Sequence, residues 1–395
     1  MTRDQRIRTT HVGSLVRPTE LQHYITAIEG GVSVDGTGFN ACLQKSIVEI
    51  VRQQAEAGID IVSDGEFGKF RSWSWYILDR LEGFEERPRR NADGSPVTRG
   101  ALPQVGTRES RLFPQFYAEY FHKQGLTYPG IPACVEPIRY KGQAALKRDI
   151  AHFKTALEGV VVAGAFMPVV APGSAMPMYV DEHYRNEEKF LYALADALRE
   201  EYSAIVAAGF QVQVDDAFLP FMWDLAFADQ GLDKYRSWAQ LRIEVLNHAL
   251  RDIPAEKIRY HICWGSFNTP HVCDIPLKSI VDLVLKVKAG AYCIEMANPR
   301  HEHEWQLWKT TRLPEGRKLI PGVISHSTNV VEHPELIAER IVRLAQVVGR
   351  DNVIAGTDCG FAQGPHVQRV HPSIMWAKLE SLAEGARLAS SQLWG

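Results

Sequence analysis

The sequence lacks the features that mark membrane, secreted and nucleic-acid-binding proteins. No apolar run approaches the roughly 18 residues that a membrane-spanning helix requires. The opening residues, MTRDQRIRTTHVGS, contain no apolar core of a secretory signal. The net charge of −3 provides no positive surface for nucleic acid or an anionic membrane. We therefore expect a cytoplasmic protein that binds neither nucleic acid nor membranes.

Cysteine is scarce, and so are linkers. Six cysteines among 395 residues are too few for a disulfide framework, so reduced thiols are expected. The composition, 45% hydrophobic and 23% charged, is that of an ordinary globular protein. Neither a short repeat nor a low-complexity segment divides the chain. The sequence therefore predicts a single domain over residues 1–395.

What the sequence does contain is a series of apolar runs that end in polar or glycine-containing clusters. A segment of helical periodicity follows several of these runs, and strands that alternate with helices favour a parallel sheet. Eight such runs predict a closed (β/α)8 barrel. They cover residues 9–14, 58–66, 166–173, 210–217, 258–265, 291–299, 319–327 and 352–360.

Helices are predicted where the apolar residues repeat with helical spacing and a glycine follows, the usual helix end. These segments are 41–58, 189–209, 276–290 and 333–349. Two stretches interrupt the alternation. Residues 67–160 are predicted to be an insertion with a hairpin tip at 91–100 and a returning strand at 134–143. Residues 299–318 are predicted to be a second long loop.

Chemistry-bearing side chains are concentrated where the predicted strands end, which is where barrels of this kind place their active sites. His261 and Cys263 lie two residues apart in HICWGSF, so they face the same way on a strand. Glu295 and Cys359 end two later runs. One nitrogen, one oxygen and two sulfur ligands form a plausible tetrahedral zinc shell, and thiolates favour zinc over magnesium or calcium.

Several other polar and aromatic residues stand out without a defined role. His271 and Cys273 repeat the His-x-Cys spacing, but in a loop that provides no third ligand. The stretch RHEHEW at 300–305 is interpreted as loop packing or a subunit contact, with a second metal site as the alternative. Trp73 and Trp75 are expected to pack in the core or against the hairpin, although either could stack on a planar ligand.

From TTHVGS to GTDCG, the order of these motifs resembles the catalytic C-terminal barrel of cobalamin-independent methionine synthase. The resemblance implies that His261, Cys263, Glu295 and Cys359 bind zinc. It further implies a substrate pocket formed by three residues: Ser14 of a GS turn, Glu66 of a GE strand end and Asp215 at the end of another strand. His326, in the ISHS turn, would be the proton donor.

The implied reaction is zinc-dependent methyl or alkyl transfer to a thiol, with homocysteine as the acceptor and methionine as the product. A tryptophan that stacks on the pterin in the family is missing here, where the strand end reads VVAPGSAM (169–176). A zinc-dependent thiol alkyltransferase or lyase of the epoxyalkane:coenzyme M transferase type is therefore the alternative. A non-catalytic thiol-binding or amino-acid-binding protein is a third reading. The expected partners are a small thiol and an alkyl donor. The sequence is also compatible with a homo-oligomer.

Overall fold

Eight parallel strands form the barrel that the sequence predicts. The computed structural model describes residues 5–88, 106–124, 130–176 and 179–395, and the predicted hairpin tip at 91–100 lies outside these ranges. The strands in chain order are β1 (Arg8–Thr9), β2 (Ile61–Ser63), β3 (Leu81–Pro88), β4 (Gly130–Tyr140), β5 (Gly164–Val170), β6 (Val180–Asp181), β7 (Gln211–Asp215), β8 (Ile258–Ile262), β9 (Ala291–Ile294), β10 (Lys318–Ile324), β11 (Ile354–Thr357), β12 (Ala362–Gly364) and β13 (Val367–Gln368).

The barrel sheet runs in the order β1-β11-β10-β9-β8-β7-β5-β2. A parallel bridge between Thr10 and Ile61 connects the two ends of this order, and Arg8 pairs with Ile354 where the first strand meets the last. All eight apolar runs of the sequence contribute one barrel strand each. The predicted (β/α)8 fold is confirmed.

The helices lie between these strands in sequence, except for the last, which follows β13. They are α1 (Thr19–Glu29), α2 (Gly36–Glu56), α3 (Arg108–Leu112), α4 (Pro114–Gln124), α5 (Gln143–Leu157), α6 (Pro172–Ala175), α7 (Glu187–Ala207), α8 (Phe218–Met222), α9 (Leu232–Ala249), α10 (Val281–Val284), α11 (Pro334–Val348) and α12 (Pro372–Trp394). Short 3₁₀ helices cover Trp75–Arg80, Ala255–Lys257, Leu277–Ser279, Glu302–Lys309 and Arg350–Asn352, and one π-helical turn covers Trp223–Phe227.

Local sequence determines where the long helices begin and end. The side chain of Asp35 caps α2 by accepting hydrogen bonds from two backbone N–H groups, and the side chain of Asn186 caps α7 by accepting one from the N–H of Lys189. Gly58 and Gly349, just past α2 and α11, adopt φ values of 84° and 91° that favour glycine. The helix predicted over 276–290 is wrong in extent, because only a 3₁₀ turn and the four-residue α10 form there.

In the predicted insertion, β3 and β4 pair antiparallel, so the predicted returning strand is present. Helix α5 also lies within the predicted insertion, where it connects β4 to β5 and packs against α2. A buried ion cluster fastens this region to α7. Glu201 accepts hydrogen bonds of 3.0 Å from Tyr76, Arg80 and Tyr140, and Arg80 also pairs with Asp149.

Replacing Glu201 with alanine should lower the free energy of unfolding by about 3 kcal/mol, because the buried Arg80 loses one of its two anions. Chemical denaturation followed by circular dichroism would measure this change. Glu200→Ala, on the exposed face of the same helix, is the matched control and should alter stability little. Equal stabilities of the two variants would contradict a structural role for the cluster.

Candidate metal and substrate site

The carboxyl ends of five barrel strands open into one cavity, whose empty space of about 830 Å³ includes the part open to solvent. Parallel strands of a barrel end on the same face, so residues that are distant in sequence meet there. Six of the eight predicted site residues contribute to its wall: Ser14, Glu66, Asp215, His261, Cys263 and Cys359. Glu295 and His326 are not among the lining residues, although both are buried nearby.

His261, Cys263 and Cys359 form a compact triad whose ligand atoms all lie within 4.8 Å of one another. The two sulfur atoms are 3.7 Å apart. Two thiolates bound to one tetrahedral zinc ion at about 2.3 Å would be separated by about 3.8 Å. The spacing of the two sulfurs therefore fits a zinc ion.

The imidazole of His261 is buried, yet neither ring nitrogen makes a hydrogen bond of normal geometry. Buried polar atoms in native proteins nearly always have a partner, so the unpaired ring nitrogens indicate that a ligand binds here. Burial lowers the pKa of His261 to about 3, which keeps the ring neutral at pH 7. Neutral imidazole is the form that binds metals.

Glu295 lies beside the triad but is not part of it. Its Oε2 accepts a 3.0 Å hydrogen bond from the backbone N–H of Trp264, and its Oε1 accepts one of 3.0 Å from the Asn298 amide. The charge of Glu295 contributes to raising the pKa of Cys263, after the hydrogen bond with Cys359 and burial. The carboxylate is thus held next to the thiols by two protein donors.

Asp358 is a structural residue of the site to which the sequence analysis gave no role. Its Oδ1 accepts hydrogen bonds of 2.8 and 2.7 Å from the backbone of Met296 and Ala297, directly after Glu295. Burial, with the charge of Glu295, raises the pKa of Asp358 well above its usual value. Asp358 therefore ties the strand end that carries Cys359 to the strand end that carries Glu295.

The predicted substrate residues surround the other side of the cavity. The Ser14 hydroxyl donates a hydrogen bond to the carbonyl oxygen of Ala362. Asp215 accepts a 2.9 Å hydrogen bond from the Gln213 amide, and burial followed by the charge of Glu66 raises its pKa. A substrate ammonium group bound here would compensate the negative charges of Asp215 and Glu66.

Glu66 already has a cationic partner that the sequence analysis missed. The Lys69 ammonium lies 2.8 Å from Glu66 Oε2, donates to the carbonyl oxygen of Pro168 at 2.9 Å and sits over the Tyr76 ring. Glu66 also has a φ of 63°, unusual for a residue other than glycine. The spacing of three residues between Glu66, at a strand end, and Lys69 could have suggested this ion pair from the sequence.

His326 is fully enclosed, and neither ring nitrogen makes a hydrogen bond of normal geometry. Burial and the positive charge of Arg369 lower the pKa of His326 to about 3. The ring is therefore neutral at pH 7 and can offer one N–H group to a neighbour.

A family model described as the cobalamin-independent synthase catalytic domain matches residues 176–374. The chain belongs to this family. The methionine synthase of Saccharolobus solfataricus is 21% identical over 98% of this chain and 95% of that protein. The 2-hydroxypropyl-CoM lyase of Xanthobacter autotrophicus is 26% identical over 54% of this chain and 58% of that protein.

This chain shares its fold with a solved B12-independent methionine synthase from Shewanella in complex with selenomethionine. The two structures have a TM-score of 0.71 at 18% sequence identity, covering 98% of this chain and 99% of the other. None of the helices in the described ranges is long and apolar enough to cross a bilayer.

Aromatic rings also line the cavity. Trp73 stacks on Phe218 with ring centroids 5.6 Å apart, and both line the cavity together with Phe221 and Phe267. Trp75 is instead buried in the core. The two tryptophans that the sequence could not distinguish therefore have different surroundings, and only Trp73 faces the candidate site.

The expectation that His271 finds no third partner is wrong. His271, Asp274 and His301 place their polar atoms within 4.8 Å of one another, so the loop after β8 meets the RHEHEW stretch. His301, in the RHEHEW stretch, is buried. This second cluster lies next to Trp264, the residue that follows Cys263.

Proposed function

We propose that this chain transfers a methyl group to the thiol of homocysteine at a zinc ion held by His261, Cys263 and Cys359, with Glu295 as the fourth ligand. The observation that carries the proposal is the 3.7 Å separation of two thiols beside an unpartnered, neutral imidazole. A bound zinc ion supplies Lewis acidity, which converts a thiol with a pKa of about 8.5 into a nucleophilic thiolate at neutral pH.

The remaining side chains would bind and orient the substrates. Asp215 would bind the ammonium group of the amino acid by accepting its hydrogen bonds. The Asp215 carboxylate is buried, and the hydrogen bond from Gln213 compensates its charge only in part. Glu66 would face the same ammonium, with Lys69 neutralising one of the two carboxylates. Ser14 would bind the substrate carboxyl or ammonium at the mouth of the first strand. His326 would act through its N–H as a hydrogen-bond donor.

A second candidate is alkylation of a thiol that carries a sulfonate, as in the coenzyme M type of enzyme. One observation favours it: Arg369 lines the cavity. This cation would attract an anionic group on the thiol. The two candidates differ in the sign of the charge that the pocket prefers, so they can be separated by experiment.

The direct test is mass spectrometry of the zinc-loaded protein incubated with thiols and alkyl donors. Methylation of homocysteine, at a rate that exceeds that of mercaptoethanesulfonate, would support the first candidate. The reverse preference would support the second. Absence of any alkylated thiol across the panel would contradict both, and would favour a binding protein built on a catalytic fold.

Methyl-tetrahydrofolate should be a poor donor, with turnover well below about 1 per second, because no tryptophan follows β5. Steady-state assays with homocysteine would measure this. Turnover in the ordinary range would show that another ring has replaced the missing one. Trp73→Ala should then lower kcat/KM for the donor, whereas Trp394→Ala at the far end of α12 should not.

A further inference from the structure

Two buried histidines outside the cavity share one carboxylate. His271 Nδ1 lies 2.8 Å from Asp274 Oδ2, and His301 Nε2 lies 2.9 Å from the same oxygen. Their other nitrogens also face acceptors: the carbonyl oxygen of Phe267 at 2.9 Å and the Glu304 carboxylate at 3.0 Å. We call His271 and His301 the imidazole pair.

The hydrogen-bond partners determine the charge of the pair. A carbonyl oxygen and an ionised carboxylate can only accept, so every ring nitrogen must carry a proton. Burial, the largest single influence, would lower both pKa values, but the hydrogen bonds to Asp274 and the other acceptors, together with the charges of Asp274 and Glu295, outweigh it in sum. The pKa of His271 rises to about 9, and the pKa of His301, which also bonds Glu304, rises to about 10. Both rings are therefore cations at neutral pH.

His301 contacts both groups that hold Glu295. Its ring stacks on Trp264 with centroids 3.9 Å apart and an interplanar angle of 19°. The Trp264 N–H donates to Glu295, and so does the Asn298 amide. The backbone N–H of His301 in turn donates to the Asn298 carbonyl at 2.8 Å.

We propose that the imidazole pair is a positioning device for the candidate metal centre: its two positive charges balance the carboxylates of Asp274 and Glu304 behind Glu295, and this favours binding of the substrate as a thiolate. This inference rests on the proposed function. Entry of a thiol as its thiolate adds one negative charge to a site that already contains Cys263, Cys359 and Glu295. Nearby cations lower the free energy of that charged form.

Other charged groups also face the pair. Glu109 of α3 and Asp224 of the π-helical turn line a small cavity together with His271 and Asp274. Arg300 donates through Nε to the carbonyl oxygen of His271 at 3.1 Å. Substitutions within the pair leave these side chains, and those of Asp274 and Glu304, in place.

The first test measures the charge of the rings directly. Nitrogen NMR of the full-length, zinc-loaded protein labelled at histidine should show two doubly protonated rings at pH 8, both lost in the corresponding variants. Neutral rings at pH 8 would overturn the inference. So would a second metal ion per chain that disappears in His271→Asn, because His271, Asp274 and His301 would then be ligands rather than cations.

The second test measures thiol binding without turnover. In cobalt-substituted protein, a thiolate-to-metal absorption band reports thiolate bound to the metal as the pH is raised. His301→Gln should move the midpoint of this transition upward by about one pH unit, since one nearby positive charge is lost. His301→Arg keeps the charge and can stack on Trp264, so it should restore the midpoint.

The matched control is His303→Gln, an exposed histidine of the same RHEHEW stretch, whose midpoint should not move. If His301→Gln does not fold, His271→Asn provides the comparison, because asparagine tolerates the φ of 56° found there. An unshifted midpoint, or one that arginine fails to restore, would overturn the inference. Failure of the wild type to bind metal at all would instead contradict the proposed function.

Discussion

Replacing Cys263 or Cys359 with serine is expected to abolish stoichiometric zinc binding, from about one ion per chain to a small fraction. The two sulfurs lie 3.7 Å apart and supply two of the proposed ligands. A serine hydroxyl stays protonated at neutral pH and cannot replace a thiolate, so the affinity should fall by several orders of magnitude. Elemental analysis of purified, dialysed protein measures the zinc content.

Cys273→Ser is the matched control. Cys273 is buried and repeats the His-x-Cys spacing of Cys263, but it does not belong to the triad. Its replacement should leave one zinc ion per chain. Full zinc content in both Cys263→Ser and Cys359→Ser would remove the metal from the triad. A loss shared by all three variants would indicate general unfolding, which thermal denaturation would detect.

Asp215→Asn is expected to lower kcat/KM for homocysteine by roughly a hundredfold or more. Removing one partner of a buried charge pair costs about 3–5 kcal/mol, and about 1.4 kcal/mol corresponds to a factor of ten. Glu66→Gln should have a smaller effect, because Lys69 already neutralises that carboxylate. Removing Glu66 leaves the Lys69 cation to repel the substrate ammonium, so the effect should still exceed tenfold.

The informative quantity is the ratio of kcat/KM for homocysteine to that for its analogue without the amino group. This ratio should fall in both variants, while the analogue alone should change little. A sulfonate thiol should improve, because negative charge near it has been removed. A ratio that does not move would show that neither carboxylate binds the ammonium, and homocysteine would no longer be the preferred acceptor.

The barrel could be predicted from the sequence because each strand combines an apolar run with a polar end. The same rule located His261, Cys263 and Cys359, since strand ends of a barrel converge whatever their distance along the chain. Side-chain alternation accounts for the shared direction of His261 and Cys263. No contact between loops was needed for these inferences.

Features that depend on contacts between loops could not be predicted. His271 and His301 lie in separate loops, and only the folded chain brings both to Asp274. Lys69 neutralises Glu66 because the turn between them brings its ammonium group to the carboxylate, and the conformation of that turn is known only from the structure. The helix expected over 276–290 is short, and its β-branched residues do not explain this, because α11 contains at least as many and is helical throughout.

The pairing of Arg8 with Ile354 has a consequence for synthesis of the chain. The first strand can take its place in the barrel only after almost the whole polypeptide has left the ribosome, because its parallel neighbour lies near the carboxyl terminus. Until then, β1 and β2 leave an open sheet edge that other chains could bind. Pairings between such distant segments form slowly. Deletions from the carboxyl terminus that reach β11 should therefore yield aggregated protein rather than a smaller soluble domain.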